Sequence, residues 1–158
     1  MQLGEMSIEG HSVAGEETWF RIHPPGLALD VGRGVPTQAG SRDLFVSHGH
    51  LDHALGVPYV LSQRTLHHQD PTRVFCPLPV ADALGGFVAA AERLEGVSYR
   101  YEIVGLAPGG RVEVGREFRV LLMLGDNLGD FLDGIAVDAA ARERLVCAAE
   151  AHWGVDWF

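Results

Sequence analysis

The chain has 158 residues, a net charge of −9 and 47% hydrophobic residues, an ordinary globular composition that excludes an intrinsically disordered tail. All twelve basic residues are arginine, so no mechanism that needs a catalytic lysine is open to it. The acidic balance disfavours tight nucleic-acid binding by this chain alone, because negative charge repels phosphate backbones. Length and composition therefore predict one globular domain with its own hydrophobic core, or one domain and part of a second.

Cysteine usage and the start of the chain bear on the compartment. Cys76 and Cys147 lie far apart without CxxC spacing, which predicts core thiols and not a disulfide scaffold or a thiolate zinc site. No apolar run approaches the roughly 20 residues of a membrane span, and the first residues lack the basic and apolar segments of a signal peptide. We therefore expect a cytoplasmic protein without membrane contact.

The elements in chain order indicate a mixed α/β fold. Short strands are expected first, at residues 6–11, 18–22 and 27–30, because apolar or alternating segments are separated there by glycine, proline and acidic residues. Strands and helices then alternate. The further strands are predicted at 44–46, 73–76, 99–104, 111–114 and 118–124, and the helices at 54–63, 77–94 and about 136–151.

Four side chains of metal-ligand type directly follow the apolar strand predicted at 44–46. They are His48, His50, Asp52 and His53. Imidazole and carboxylate groups suit zinc, iron or manganese, and two such ions held close together can share a bridging hydroxide. A polar loop of exposed histidines would not explain why an apolar strand ends in four such side chains. The sequence therefore predicts a site for one or two metal ions, with zinc favoured and manganese or iron as alternatives.

The same residues carry a family resemblance. LFVSHGHLDHALGVPYVLSQR, residues 44–64, resembles the metal-binding signature of the metallo-β-lactamase superfamily, and within it the ribonuclease Z-like hydrolases. GLALDVG, residues 26–32, resembles that family's strand ending in Asp and Gly, which supports the metal loop from behind. The resemblance covers residues 1–119. It implies that His48 and His50 ligate a first metal, that Asp52 and His53 ligate a second, and that Asp52 helps to position the attacking water.

The resemblance also implies three further ligands downstream. They are a third histidine for the first metal, an aspartate that bridges the metals, and a late histidine for the second metal. After His53 the sequence offers only His67, His68 and His152. His67 and His68 follow the motif too soon and are expected at the surface of a helix end. The completion of a dinuclear site stays open at this point.

The last part of the chain resembles a different family. LLMLGDNLGDFLD, residues 121–133, and the terminal WGVDWF resemble the end of bacterial acid phosphatases of the haloacid dehalogenase superfamily, which implies Mg²⁺ at Asp126 and Asp130. The Asp-x-Asp nucleophile and the lysine of that superfamily are missing, so we expect no such phosphatase activity. One alternative is an acidic turn that caps a helix. Another makes Asp126 the bridging aspartate and His152 the last histidine of the metal site.

The sequence thus predicts two parts. Residues 1–119 form a metal-binding module, a partial metallo-β-lactamase-like αββα sandwich, and residues 120–158 form an appended strand–helix segment. The functional hypothesis is a hydrolase in which metal-activated water attacks a phosphodiester or ester bond of a small molecule or a nucleic acid. The sequence leaves open whether the chain forms a homodimer. The rival hypothesis is a truncated or chimeric module that binds metal without catalysis.

Overall fold

A computed structural model of the chain describes residues 2–3, 6–114 and 118–120, together with residue 144. The three helices in the described part are α1 (Leu51–Ala54), α2 (Val57–Leu66) and α3 (Ala81–Glu95), and short 3₁₀ turns lie at Pro36–Gly40 and Leu78–Val80. The strands are β1 (Gln2–Leu3), β2 (Met6–Val13), β3 (Glu17–His23), β4 (Leu27–Val31), β5 (Asp43–Phe45), β6 (Thr72–Pro77), β7 (Tyr101–Leu106), β8 (Val112–Val114) and β9 (Phe118–Val120).

Seven strands form one mixed sheet in the order β1 to β7. Strands β1 to β4 pair antiparallel as a meander, whereas β4, β5, β6 and β7 pair parallel. Parallel neighbours need crossover connections, which α1 and α2 supply between β5 and β6, and α3 between β6 and β7. The loops that follow β4 and β5 therefore leave the same edge of the sheet side by side.

The two faces of this sheet carry separate apolar clusters, because successive side chains of a strand point to opposite faces. Leu44, Val74 and Cys76 face the helices, where Val60 of α2 and Val88 of α3 cover them. The other face carries Leu27, Leu29, Phe45 and Phe75, and Val114 of β8 packs against them. Strand β8 pairs antiparallel with β9. The described residues therefore give a helix layer, a seven-stranded sheet and a two-stranded sheet.

Most predicted elements are confirmed, but the bounds of two helices are corrected. The helix predicted at 54–63 begins earlier and is divided into α1 and α2, with the interruption at Leu55 and Gly56. Pro58 lies in the first turn of α2, where its missing N–H costs nothing, so the second helix starts there. The helix predicted at 77–94 likewise begins with the 3₁₀ turn, and α3 starts at Ala81.

The remaining predictions concern the elements after β8, the two cysteines and membrane spans. The strand predicted at 118–124 is described as far as Val120. The loop at 125–130 and Cys147 lie outside the described residues, and of the helix predicted at about 136–151 only Arg144, which is helical and exposed, is described. Cys76 is a buried free thiol, as expected of a core residue, and burial raises its pKa to about 11. Within the described part, no helix is long and apolar enough to cross a membrane.

Candidate metal centre

The histidine cluster lies where β5 leaves the sheet. His48 and His50 lie in the loop between β5 and α1, and Asp52 and His53 lie in the single turn of α1. His48 and His53 are buried, Asp52 is half-buried and His50 is exposed. The ring centroid of His48 lies 4.5 Å from that of His50 and 4.1 Å from that of His53. The structure thus gathers the residues of the sequence motif into one cluster.

A buried carboxylate supports this cluster from the neighbouring strand. Asp30, near the end of β4, accepts hydrogen bonds from the Ser47 N–H (2.7 Å) and the Ser47 hydroxyl (2.8 Å), and its Oδ2 lies 2.8 Å from His53 Nδ1. Its backbone φ is +52°, a left-handed conformation that non-glycine residues rarely adopt. Three hydrogen bonds to one side chain stabilise that conformation. Asp30 therefore supports the histidine loop from behind, as the resemblance implied.

This hydrogen-bond network assigns the tautomers of two histidines. An ionised carboxylate only accepts, so His53 donates its Nδ1–H to Asp30. Ser47 donates its hydroxyl to Asp30 and can then accept the Nδ1–H of His48, at 3.0 Å. In both rings Nε2 is consequently the acceptor nitrogen. A histidine that binds a metal through one nitrogen usually donates the other to such a partner.

The potential ligand atoms form two pairs. His48 Nε2 lies 2.8 Å from His50 Nδ1, and His53 Nε2 lies 3.6 Å from Asp52 Oδ2. The donor types fit zinc, but a zinc site takes three or four protein ligands. Among the described residues, no group of three or more His, Cys, Asp or Glu side chains is arranged to hold a metal ion. The pairs fit a metal by their chemistry, and each pair needs further donors.

The electrostatic environment keeps Asp52 ionised. Burial by itself raises the pKa of the Asp52 carboxyl, but hydrogen bonds from its own N–H and from the Gly15 N–H oppose this effect. The neighbouring His53 and His50 favour the charged form as well. The net effect lowers the pKa of Asp52 below its usual range, so the side chain is an anionic donor at neutral pH.

Close backbone contacts hold α1 against the loop after β4. The Gly32 N–H donates to the His53 carbonyl at 3.1 Å, and the Gly56 N–H donates to the Gly32 carbonyl at 2.8 Å. A Cβ added at Gly56 would collide with the backbone of Gly34. The glycine between α1 and α2 therefore permits the approach that places His53 beside Asp30.

The remaining sequence-predicted residues do not join the cluster in the described part. His67 and His68 are exposed at the end of α2, as expected. Asp126, Asp130 and His152 lie outside the described residues. Sequence reasoning missed Ser47 and Gly15, whose contacts with Asp30 and Asp52 join distant parts of the chain.

The structure is similar to the crystal structure of the short form of human tRNase Z. The TM-score is 0.52 at 21% sequence identity, and the match covers 65% of this chain and 44% of that chain. A likeness at this identity shows the fold. The described residues therefore have a metallo-β-lactamase fold.

Three curated plant proteins are similar in sequence. The nuclear ribonuclease Z of Triticum aestivum is 31% identical over 121 residues, which are 76% of this chain and 68% of that protein. The tRNase Z TRZ1 of Arabidopsis thaliana is 30% identical over 121 residues, or 76% of this chain and 43% of the relative. The chloroplastic tRNase Z TRZ2 of the same plant is 28% identical over 114 residues, which are 72% of this chain and 32% of the relative. The chain belongs to the ribonuclease Z family.

The chain spans less than half the length of the two Arabidopsis relatives that it matches. No family model matches the sequence. None of these comparisons supports the resemblance of residues 120–158 to acid phosphatases.

Proposed function

We propose that this chain carries the metal-binding part of a ribonuclease Z-type phosphodiesterase that hydrolyses RNA. The observation that carries the proposal is the histidine cluster at the sheet edge, in which Asp30 and Ser47 orient His48 and His53 with Nε2 as the acceptor nitrogen. Membership of the ribonuclease Z family supports the reaction type. The names of the relatives support RNA as the substrate class.

The donor pairs divide the ligands between two ions. His48 and His50 would hold the first metal, and Asp52 and His53 the second, with zinc favoured by the imidazole-rich donor set. Bound metal lowers the pKa of a coordinated water and polarises the phosphoryl group. The protein supplies the rest: Asp30 holds the His53 ring in place, and the anionic Asp52 accepts a hydrogen bond from the attacking water and so orients it.

The further metal donors that each pair needs would come from residues 121–158. Asp126 as the bridging carboxylate and His152 as the last histidine would each extend a donor pair towards a complete site. In the alternative arrangement, Asp126 and Asp130 hold Mg²⁺ apart from the histidines. Metal analysis of Asp126→Asn and Asp130→Asn separates the two: loss of zinc with the first substitution alone supports the shared site.

Charge is the main physical objection to an RNA substrate. The net charge of −9 repels phosphates at long range, but two divalent ions would reverse the local sign at the cluster. We therefore expect hydrolysis of short RNA to rise when monovalent salt screens the acidic surface, up to the concentration at which salt weakens the local contacts. A small phosphodiester would show little dependence on salt.

The test of the proposal is metal binding by a double variant with a matched control. Replacing His48 and His50 together by alanine removes both donors of one pair and should abolish tight zinc binding at that site. Replacing the exposed His67 and His68 together by alanine removes the same number of imidazoles and should leave zinc binding unchanged. Unchanged affinity in the first double variant would contradict the proposal.

A noncatalytic metal-binding module is the second candidate. It is favoured by the fact that the described residues supply donors in pairs and not in groups of three. The stoichiometry of zinc in the purified chain distinguishes the two. About two ions per chain with RNA hydrolysis supports the enzyme, whereas one ion or fewer without hydrolysis supports the binding module.

A further inference from the structure

The turn between β2 and β3 reaches the metal cluster. The two strands pair from Ser7 and His23 to the last pair, Val13 and Glu17. Beyond that pair, the Gly15 N–H at the tip of the hairpin donates to Asp52 Oδ2 at 3.0 Å. This hydrogen bond joins residues 37 positions apart in the chain. The tip of the hairpin is thus attached to one member of the Asp52 and His53 donor pair.

The start of β3, next to this tip, contacts the loop that follows β4. Glu17 Oε1 accepts a hydrogen bond from the Arg33 N–H at 3.1 Å, and Glu17 Oε2 lies 3.7 Å from the Arg33 guanidinium. A Cβ added at Gly32 would lie 2.5 Å from Glu17 Cγ, so the absence of a side chain there allows the contact. These contacts fix the position of the hairpin relative to the support of the cluster. The tip therefore meets Asp52 in a defined place.

We propose that Gly15 is a positioning residue for the second metal, and that its N–H fixes the rotation of the Asp52 carboxylate. The proposal rests on the proposed function, in which Asp52 and His53 hold that metal. The terminal torsion of an aspartate side chain is broad, so an unsupported carboxylate can rotate its oxygens freely. A donor at Oδ2 removes this freedom, and the same oxygen lies 3.6 Å from His53 Nε2. Bonds of this kind to metal ligands are worth about ten- to hundredfold in metal affinity.

The conformation of Gly15 agrees with this role. Its φ of +73° belongs to the left-handed region, which glycine adopts at no steric cost. A Cβ at this position would meet no atom within 4 Å, so crowding does not account for the glycine. The backbone conformation that turns the N–H towards Asp52 is what another residue would disfavour.

A second glycine provides a control for the backbone strain. Gly109 has a φ of +77°, and a Cβ there would also meet nothing within 4 Å, but it lies in the turn between β7 and β8. Gly15→Ala and Gly109→Ala should therefore lower thermal stability by similar amounts. Only Gly15→Ala should lower the affinity for the second metal ion, by about tenfold, because a shift in φ misaligns the Gly15 N–H with Asp52. The first metal should bind both variants as it binds the wild type.

A shortened hairpin removes the donor altogether. Replacing residues 14–16 by Asn-Gly gives a two-residue turn that suits the strands and keeps the pairing of Val13 with Glu17. Titration of the metal-free full chain with Co²⁺, followed by its visible absorption, reports each site without any need for activity. We expect the second Co²⁺ to bind this variant about ten- to hundredfold more weakly, with the first unchanged.

The outcomes separate this inference from the proposed function. If the wild type binds two ions and the shortened hairpin binds both equally well, the role of Gly15 is wrong and the proposed function stands. If Gly15→Ala and Gly109→Ala weaken the second metal equally, the effect is general instability and the role of Gly15 is again wrong. If the wild type holds no second ion, both proposals fail together.

Discussion

Two buried polar networks lie at opposite ends of the parallel strands. At the carboxyl end, Asp30 accepts hydrogen bonds from Ser47 and pairs with His53. At the amino end, Arg64 donates to Thr72 Oγ1 (2.6 Å), Gln69 Oε1 (2.6 Å) and the carbonyls of Ala39 (2.9 Å) and Asp70 (3.1 Å). Arg64 and His53 are equally buried, with 4% of each residue exposed.

The difference lies in the chemistry of the groups and not in their burial. Arg64 can only donate, and its partners are neutral acceptors that tie α2 to β6 and to the turns on either side. The histidine network combines a carboxylate with imidazoles, whose acceptor nitrogens suit a metal. A buried, hydrogen-bonded polar group is therefore not by itself a sign of function. The inference to a site depends on what the group can still bind.

The largest expected effect tests the structural role of Arg64. In Arg64→Met the buried acceptors lose their donor, so the free energy of unfolding should fall by about 3 kcal/mol in urea denaturation. Zinc affinity should not change, because the network lies at the other end of the strands. Arg100→Met is the control: Arg100 is exposed, and the loss of its bond to the Gln69 carbonyl should cost less than about 1 kcal/mol. A change in zinc affinity with Arg64→Met would contradict the comparison.

A pair of aspartates tests the two ends directly. Asp30 and Asp43 are both buried, but Asp43 accepts two hydrogen bonds from Arg73, each at 2.7 Å. Asp30→Asn tolerates the left-handed backbone but places an amide N–H₂ where an acceptor is needed, which favours the wrong tautomer of His53. Zinc affinity should fall by about ten- to hundredfold.

Asp43→Asn should give the opposite pattern. It weakens the pair with Arg73 and should lower the free energy of unfolding by about 1 to 3 kcal/mol, with zinc affinity unchanged. Isothermal titration of zinc and urea denaturation of both variants provide the comparison. Equal losses of zinc affinity would show that the cluster responds to general stability and not to Asp30.

Much of the fold could be predicted from the sequence because its signals are local. The strands at 18–22, 27–30 and 44–46 are found from apolar segments between turn residues, and the structure places each within a strand or one residue beyond its end. The interruption between α1 and α2 was not predicted, although Gly56 and Pro58 are local signals of a helix boundary. The close contact of Gly56 with Gly34 is a further cause, and no local pattern contains it.

The candidate site divides in the same way. The potential ligands could be predicted because His48, His50, Asp52 and His53 are close in sequence and follow an apolar strand. Their supports could not be predicted from spacing, because Ser47 meets Asp30 across 17 positions and Gly15 meets Asp52 across 37. Asp30 was found only through a family resemblance. Physical contacts between distant segments become visible only when the sheet places its strand ends side by side.

The smallest expected effect concerns Ser47, which links the two histidines that Asp30 supports. Ser47→Ala removes the bond between the hydroxyl and Asp30 and leaves His48 Nδ1 without the Ser47 oxygen. The His48 ring then loses one of its hydrogen-bond partners and is held less firmly, so the first metal should bind about tenfold more weakly. Binding of the second metal should change less because His53 keeps its own contact with Asp30. Ser62→Ala is the matched control, since the Ser62 hydroxyl donates to Glu95 at 2.8 Å on the exposed side of α2. That variant should retain wild-type affinity for both ions in the Co²⁺ titration. If Ser47→Ala instead weakens both ions equally, the serine acts on the whole loop through its position, and the hydroxyl is not a specific link between Asp30 and His48.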